Sequence, residues 1–143
     1  MSAYSKVLAA IDLTEEAPQV LDKAYRIAAD HKADLYVIHV VEPVGYAYGG
    51  DIPMDLTELQ EQLDKTARKQ IGEYGEQYGI PEDRQIVTVG RPETEIHRTA
   101  KEKEHDLVIV GSHGRHGIQL LLGSTANGVL HGAECDVLAV RIR

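Results

Sequence analysis

Five short apolar segments, separated by stretches with helical spacing, limit the fold of this chain most strongly. The segments have the length and composition of buried strands, and they occupy Lys6–Ile11, Asp34–Val41, Gln85–Val89, Leu107–Val110 and Asp136–Ile142. Strands that alternate with helices predict a parallel sheet with right-handed crossovers. We therefore predict an α/β fold: a doubly wound, five-stranded parallel sheet with helices on both faces, which is Rossmann-like and forms one domain over residues 1–143.

The intervening stretches repeat apolar residues every three or four positions, as amphipathic helices do. Predicted helices run from an N-cap at Thr14 to about His31, from a cap at Asp55 to Tyr78, from about Pro92 to Glu104, and from Thr125 to Ala133. Gly79 and Pro81 end the second of them. Its apolar stripe is predicted to be core and consists of Leu56, Leu59, Leu63, Ala67, Ile71, Tyr74 and Tyr78.

The segment from Gly111 to Thr125 is the main candidate for a binding site. It follows a buried parallel strand and precedes a helix, and open α/β sheets bind ligands at such junctions. Its glycines let the backbone approach a ligand closely, and the helix N-terminus offers free N–H groups that suit phosphate. The segment contains neither a P-loop nor a dinucleotide-binding fingerprint. From spacing alone, an anionic ligand and a merely flexible turn remain equal alternatives.

Charge is distributed unevenly along the chain. The formal net charge of −8 disfavours nucleic acid as a partner, because binding nucleic acid needs a basic face. Between Gly111 and Gly132, however, there is no carboxylate; the basic side chains there are Arg115 and the histidines His113, His116 and His131. Local exclusion of negative charge in an acidic chain favours an anion site, although chance over a short window has the same effect.

The composition also bears on the compartment. No apolar run approaches the length that spans a bilayer, and the first residues lack the layout of a signal peptide. Cys135 is the single cysteine, which suits a reducing environment and excludes an internal disulfide. We expect a cytoplasmic protein that does not contact membranes.

Several single residues have two interpretations each. Asp12, directly after the first strand, either binds a ribose or adenine group or caps a turn, and its position at the ligand edge favours binding. His113 and His116 have a spacing that suits metal, but no cysteine or carboxylate accompanies them, so we predict no metal site. Cys135 precedes a buried strand, which favours an inert thiol over a redox-active one.

The chain resembles the universal stress protein family over nearly its whole length. The specific part is Val110-Gly111-Ser112-His113-Gly114 followed by Leu121-Leu122-Gly123-Ser124, which looks like the family's nucleotide motif, Gly-x2-Gly-x9-Gly-Ser/Thr. Here eight residues, not nine, separate Gly114 from Gly123. The resemblance implies a fold of the adenine nucleotide alpha hydrolase type, usually dimeric, with a role in stress survival rather than a defined reaction.

The resemblance also implies roles by position. Asp12 would approach adenosine, the backbone of Val40 would read the adenine edge, and Ala10 and Ile11 would line the same pocket. The phosphate side would be formed by Gly111, Gly114, Gly123, Ser124 and Thr125. His113 and Arg115 are added from their charge and placement in the sequence.

With this resemblance, we expect a stress-response sensor or regulator that binds ATP, ADP or AMP, with Mg²⁺. No catalytic set of side chains can be assembled, so we expect no enzyme; slow ATP hydrolysis stays an alternative. A second alternative is an interaction module that is independent of nucleotide. The last strand is almost unbroken in its apolar character and is expected at a sheet edge, which predicts a homodimer joined through that strand.

Overall fold

One parallel sheet organises the molecule, and its strand order is β3-β2-β1-β4-β5. The computed structural model describes residues 4–43, 56–112 and 124–143. In chain order the elements are β1 Lys6–Ala10, α1 Ala17–His31, β2 Asp34–Val41, α2 Leu56–Tyr78, a 3₁₀ turn Glu82–Arg84, β3 Gln85–Val89, α3 Pro92–Glu102, β4 Leu107–Gly111, α4 Ser124–Gly132 and β5 Asp136–Val140. The predicted fold class is confirmed.

Helices cover both faces of this sheet. Val7 and Ala9 of β1 point to one face, where they pack with α1 and with Ile71 of α2. Leu8 and Ala10 point to the other face, where they pack with α3 and α4. Because successive strand residues alternate between the faces, a central strand buried on both sides has to be apolar throughout, as β1 is.

The amino end of the sheet is fastened by Asp106, which directly precedes β4. Its carboxylate accepts hydrogen bonds from the Ser5 N–H (2.8 Å), the Ser5 hydroxyl (3.0 Å) and the Lys6 N–H (3.1 Å). Burial by itself raises the pKa of Asp106, but these hydrogen bonds to its charged form outweigh burial and lower the pKa overall. The start of β1 is thereby joined to the start of β4.

Thr14 is not the N-cap that the sequence predicted. The helix α1 begins at Ala17, Glu16 precedes it without a side-chain cap, and a proline lies in the first turn. The Thr14 hydroxyl donates to Asp12 (2.8 Å) and accepts from the Glu16 N–H (3.3 Å). Since the hydroxyl is engaged in this turn, Thr14 shapes the chain before the helix instead of capping it.

The stripe on α2 is core at Ala67 and Ile71 but not at Leu63. Ala67 and Ile71 are buried, whereas Leu63 is 41% exposed. A helix of 23 residues is roughly 35 Å long, whereas the strands it packs against, β2 with eight residues and β3 with five, span about 27 Å and 17 Å, so α2 extends beyond both. The prediction that the whole stripe is core is wrong for Leu63, and Asp55, the predicted cap, lies outside the described residues.

The ends of the other elements agree closely with the sequence. Gly79 follows α2 with a φ of +68°, a left-handed conformation that suits glycine and ends the helix. The helix α3 ends at Glu102, two residues before the predicted end at Glu104, and Glu104 itself has a positive φ of 56°. In the described part of the chain, no helix combines the length and apolar character needed to cross a membrane.

Candidate functional site

The two central strands end side by side at the point where the strand order reverses. Ile11 and Asp12 follow β1, and β4 ends at Gly111. The register pairs Ala9 with Ile109, so both strands end at the same level of the sheet. The chain leaves β1 towards one face and β4 towards the other, which opens a crevice between the two connections. Ligands of open α/β sheets bind in such a crevice.

Asp12 is half-buried at this edge. Among the described residues, its carboxylate accepts one hydrogen bond, from the Thr14 hydroxyl at 2.8 Å. A carboxylate has about four lone-pair sites, so its contacts with the described residues use only part of its acceptor capacity. The two interpretations of Asp12 are therefore compatible, because the bond to Thr14 orients the group without saturating it.

The backbone of Ile11, which precedes Asp12, is hydrogen-bonded to residues of β2. The Ile11 N–H donates to the Ile38 carbonyl (3.0 Å), and Nδ1 of His39 lies 2.9 Å from the Ile11 carbonyl. A carbonyl oxygen only accepts, so Nδ1 of His39 is the donor in this pair. Sequence reasoning did not assign this role to His39, although one polar residue among the apolar residues at the end of β2 was a visible signal.

Val40 is half-buried near the carboxyl end of β2, and the register pairs it with Thr88 of β3. The Thr88 hydroxyl donates to Glu95 (3.2 Å), whose carboxylate is also bound by Arg98. Glu95 is buried and therefore needs these partners. The residues of α3 thus form a polar group beside the strand position that was predicted to read the adenine edge.

Gly111 has a packing reason to be glycine. A Cβ at this position would lie 3.3 Å from two atoms of the Ile142 side chain and 3.5 Å from Val20. Next to it, Ser112 donates its N–H to the Val140 carbonyl (2.7 Å) and accepts the Ile142 N–H at its hydroxyl (3.1 Å). These contacts leave little room for a side chain at position 111, so this glycine alone does not argue for a ligand.

The remaining predicted phosphate-side residues are only partly within the described chain. His113, Gly114, Arg115 and Gly123 lie outside the described residues. Ser124 is the first residue of α4 and Thr125 the second. Because β5 runs parallel to β4, the N-terminus of α4 faces the carboxyl edge of the sheet, where its free N–H groups and partial positive charge favour an anion.

Cys135 lies away from this edge, directly before β5. Burial raises the pKa of its thiol, and the nearby carboxylates of Asp136, Asp106 and Glu134 raise it further. A thiol that stays protonated is a poor nucleophile, which agrees with the predicted inert role. Within residues 4–43, 56–112 and 124–143, no three His, Cys, Asp or Glu side chains are grouped so that they could hold a metal ion.

Comparison with protein families gives a match over almost the whole chain. The model described as the universal stress protein family matches residues 3–141. The chain is 48% identical to universal stress protein A homolog 2 of Coxiella burnetii, over 100% of this chain and 99% of the relative. It is 41% identical to homolog 1 of the same organism, over 96% of both chains.

Solved structures share the fold. The universal stress protein UspA from Lactobacillus plantarum superposes with a TM-score of 0.78 at 23% identity and full coverage of both chains, which bears on the fold alone. A universal stress protein in complex with cAMP superposes with a TM-score of 0.67 at 25% identity, over 98% of both chains. That neighbour binds a nucleotide in its crystal.

Proposed function

The chain belongs to the universal stress protein family, and from this premise we propose that it binds ATP or another adenine nucleotide, with Mg²⁺, and acts as a stress-response sensor or regulator. The observation that carries this proposal is that two different groups lie at the carboxyl ends of the strands. Asp12 offers a carboxylate that accepts one hydrogen bond from the described residues, and the N-terminus of α4 offers backbone N–H groups. The first suits ribose hydroxyls and the second suits phosphates.

Two further observations support an adenine nucleotide. A neighbour of the same fold and family holds cAMP, which contains adenine, ribose and phosphate. In this chain, the stretch from Gly111 to Gly132 lacks carboxylates, although the net charge is −8. Mg²⁺ would compensate the phosphate charge through water-mediated contact with Asp12, since a magnesium ion often keeps most of its waters.

Isothermal titration with MgATP, after removal of any co-purified nucleotide, tests the proposal. We expect saturable binding, and mass spectrometry of the denatured protein should release ATP, ADP or AMP. MgGTP is the matched ligand, because it keeps the phosphates and changes the base. Absence of heat with both nucleotides at millimolar concentration contradicts the proposal, and equal binding of both contradicts the adenine assignment.

A variant at one glycine of the motif tests where the phosphates of the nucleotide bind. Gly114→Gln adds a side chain where the motif requires none, and binding should weaken about tenfold, or about 1.4 kcal/mol. Gly72→Gln is the matched control, because this helical glycine lies on α2 and a Cβ there has no neighbour closer than 4.0 Å. If both variants bind MgATP like the parent protein, the phosphates do not lie at this loop.

We propose that the protein is a homodimer through β5, in a cytoplasmic setting. β5 is an edge strand, and its middle residues Val137, Leu138 and Ala139 are half-buried or exposed. The Val140 carbonyl bonds to Ser112 and the Ile142 N–H bonds to the same residue, so the backbone groups of Ala139 and Arg141 face outward. An unpaired, largely apolar edge is a template for pairing with a second copy.

Light scattering on Ala139→Pro tests the dimer. Proline removes the outward N–H that would pair with the second copy, and it leaves the bonds to β4 in place. We expect a dimeric parent and a monomeric variant, while Ala139→Val stays dimeric. A monomeric parent at micromolar concentration, or a folded Ala139→Pro variant that remains dimeric, contradicts pairing through this strand.

The outer edge formed by β5 also supports the second candidate function, an interaction module that works without nucleotide. We propose regulation rather than catalysis as the main role. Asp12 is the carboxylate that directly follows β1, and phosphoryl transfer needs a positioned base together with additional cations. Sustained phosphate release from MgATP would instead support a slow ATPase.

A further inference from the structure

A cavity of about 480 Å³ lies at the amino end of the sheet, between the ends of α3 and α4. We call it the α3–α4 cavity. Its lining includes Ala100 and Lys101 of α3, His105 and Val108 around the start of β4, and Ala133 and Cys135 before β5. It lies at the opposite ends of the strands from Asp12 and Gly111. Its volume is within the range of small-molecule sites in proteins.

His105 gives this cavity a chemical preference. The residue is 6% exposed, and neither ring nitrogen has a hydrogen-bond partner among the described residues. His97, which also lines the cavity, differs because its Nε2 is bonded to the Val129 carbonyl at 2.8 Å. Buried polar groups without a partner are rare in proteins and costly, so His105 calls for a hydrogen-bonding partner.

The surroundings of His105 keep the ring neutral. Burial lowers its pKa to about 4, and Lys6 from β1 lowers it as well, whereas the backbone of Thr99 raises it. The His105 ring also contacts the Tyr36 ring edge-on, with centroids 4.6 Å apart. A neutral imidazole has one donor and one acceptor nitrogen, and it can therefore pair with a hydroxyl group.

The rest of the lining favours an uncharged ligand with an apolar part. Ala100 and Val108 supply a buried apolar wall. Two cationic side chains, Arg98 and Lys101, and two carboxylates, Glu104 and Glu134, line the same cavity, so it has no net charge with which to select an ion. Cationic side chains also interact favourably with aromatic faces.

We propose that the α3–α4 cavity is a second ligand site, which takes a neutral aromatic molecule carrying a hydroxyl group that hydrogen-bonds to His105. The aromatic part packs on Ala100 and Val108, and the hydroxyl satisfies the buried imidazole. Because both ring nitrogens are sealed from solvent, the His105 ring has to turn towards the cavity, away from its contact with Tyr36. This site is independent of the proposed nucleotide site, since the two share no residue.

A pair of probes tests the hydrogen bond. 2-Naphthol has the required ring and hydroxyl, and 2-methoxynaphthalene keeps the ring but cannot donate. The chain contains no tryptophan, so the fluorescence of either probe reports binding directly. We expect 2-naphthol to bind about tenfold more tightly than its methyl ether, as the loss of one buried hydrogen bond predicts. Equal affinities overturn the role of His105 and with it the proposal.

Two readouts locate the probe in the α3–α4 cavity. Cys135 is the single cysteine of the chain, and its alkylation by iodoacetamide should slow about tenfold when 2-naphthol saturates the protein. The side-chain nitrogens of His105 should shift in a histidine-detected NMR spectrum, together with the Tyr36 ring protons. If 2-naphthol changes neither readout at millimolar concentration, the cavity holds only water and the proposal fails.

Variants complete the test. His105→Phe keeps a ring beside Tyr36 and removes the nitrogens, so it should abolish the preference for 2-naphthol over the ether. His131→Phe is the matched control, because His131 is exposed on α4 and does not line the cavity. If His105→Phe does not fold, Ala133→Leu at the lining should still block both probes by filling the space. Normal 2-naphthol binding by Ala133→Leu overturns the placement.

Discussion

The amino and carboxyl edges of the sheet, where the parallel strands begin and end, use aspartate in opposite ways. At the amino edge, Asp106 accepts three hydrogen bonds from Ser5 and Lys6, which join β1 to β4. At the carboxyl edge, Asp12 accepts one hydrogen bond within the described residues, from Thr14. Both are carboxylates beside a central strand. A carboxylate whose acceptor sites are largely occupied by the protein has a structural role, whereas one with few protein partners can bind a ligand.

The difference predicts that stability and binding are separable. Damage at the amino edge should lower the free energy of unfolding and leave nucleotide affinity per folded molecule unchanged. Damage at the carboxyl edge should do the reverse. Four experiments test this separation.

Acid should cause the largest loss, and it should act through His105 at the amino edge. Burial, together with Lys6, lowers the pKa of His105 from 6.5 to about 4 in the folded protein. The unfolded chain takes up a proton at His105 near pH 6.5, whereas the folded protein takes it up only near pH 4. The free energy of unfolding therefore falls as the pH falls from 6.5 to 4, and the contribution of His105 is present in full above pH 6.5. We expect a loss of about 3 kcal/mol, measured by urea unfolding across that range.

His105→Phe isolates this contribution from the other titrating groups around it. Lys6 of β1, Lys103 after α3 and Asp106 before β4 act on the ring and remain in the variant. The difference between the parent and His105→Phe should therefore change between pH 6.5 and 4 and be constant above pH 6.5. Parallel curves for the two proteins contradict a neutral, buried His105.

Asp106→Ala should lower the free energy of unfolding by about 2 kcal/mol, because three donors at the start of β1 lose a charged acceptor. Asp30→Ala, an exposed aspartate on α1, is the matched control and should change stability little. MgATP affinity of the folded Asp106→Ala protein should equal that of the parent. A tenfold loss of affinity would show that the two edges are coupled.

Asp12→Asn should weaken MgATP about tenfold, or about 1.4 kcal/mol, because the amide has less acceptor strength for ribose and no charge for Mg²⁺. The amide oxygen still accepts the Thr14 hydroxyl, so the free energy of unfolding should stay within about 0.5 kcal/mol of the parent. Titration and urea unfolding on one preparation give both numbers. Unchanged affinity would remove Asp12 from the site.

Thr14→Val should have the smallest effect, a destabilisation of about 0.5 kcal/mol, because the two hydrogen bonds it removes lie in a half-buried turn outside the core. It also releases the Asp12 carboxylate from its orienting partner, so a slight loss of MgATP affinity should accompany it. Thr66→Val, at an exposed position of α2, is the control for the change of side chain. Larger destabilisation than in Asp106→Ala contradicts the difference between the edges.

Much of the fold could be predicted because the strands are short, apolar and separated by clear helical periods. The alternation and the right-handed crossover rule were sufficient for the parallel, doubly wound sheet. The predictions that were wrong concern local competition. Thr14 lies in the turn before α1, which begins only at Ala17, and Leu63 is exposed on the part of α2 that extends past β3.

The candidate site was predictable in position and less so in its chemistry. The place of Asp12 follows from the end of β1, and Gly111 follows from the motif. What Gly111 packs against could not be predicted, since Ile142 reaches it only through the β4–β5 pairing. The same holds for Asp106 and His105, whose partners Lys6 and Tyr36 are far away in sequence and meet them only in the finished sheet.

The central place of β1 has a consequence for synthesis of the chain on the ribosome. β1 can pair with β2 once both have emerged, but its other partner is β4, and Leu107, which pairs with Val7, follows it by 100 residues. Until then one edge of β1 and its Leu8 face lack cover, which makes the nascent half prone to aggregation. The long loop between these partners also slows folding. The arrival of Asp106 at Ser5 and Lys6 joins β1 to β4, and α4 completes the cover of the Leu8 face afterwards.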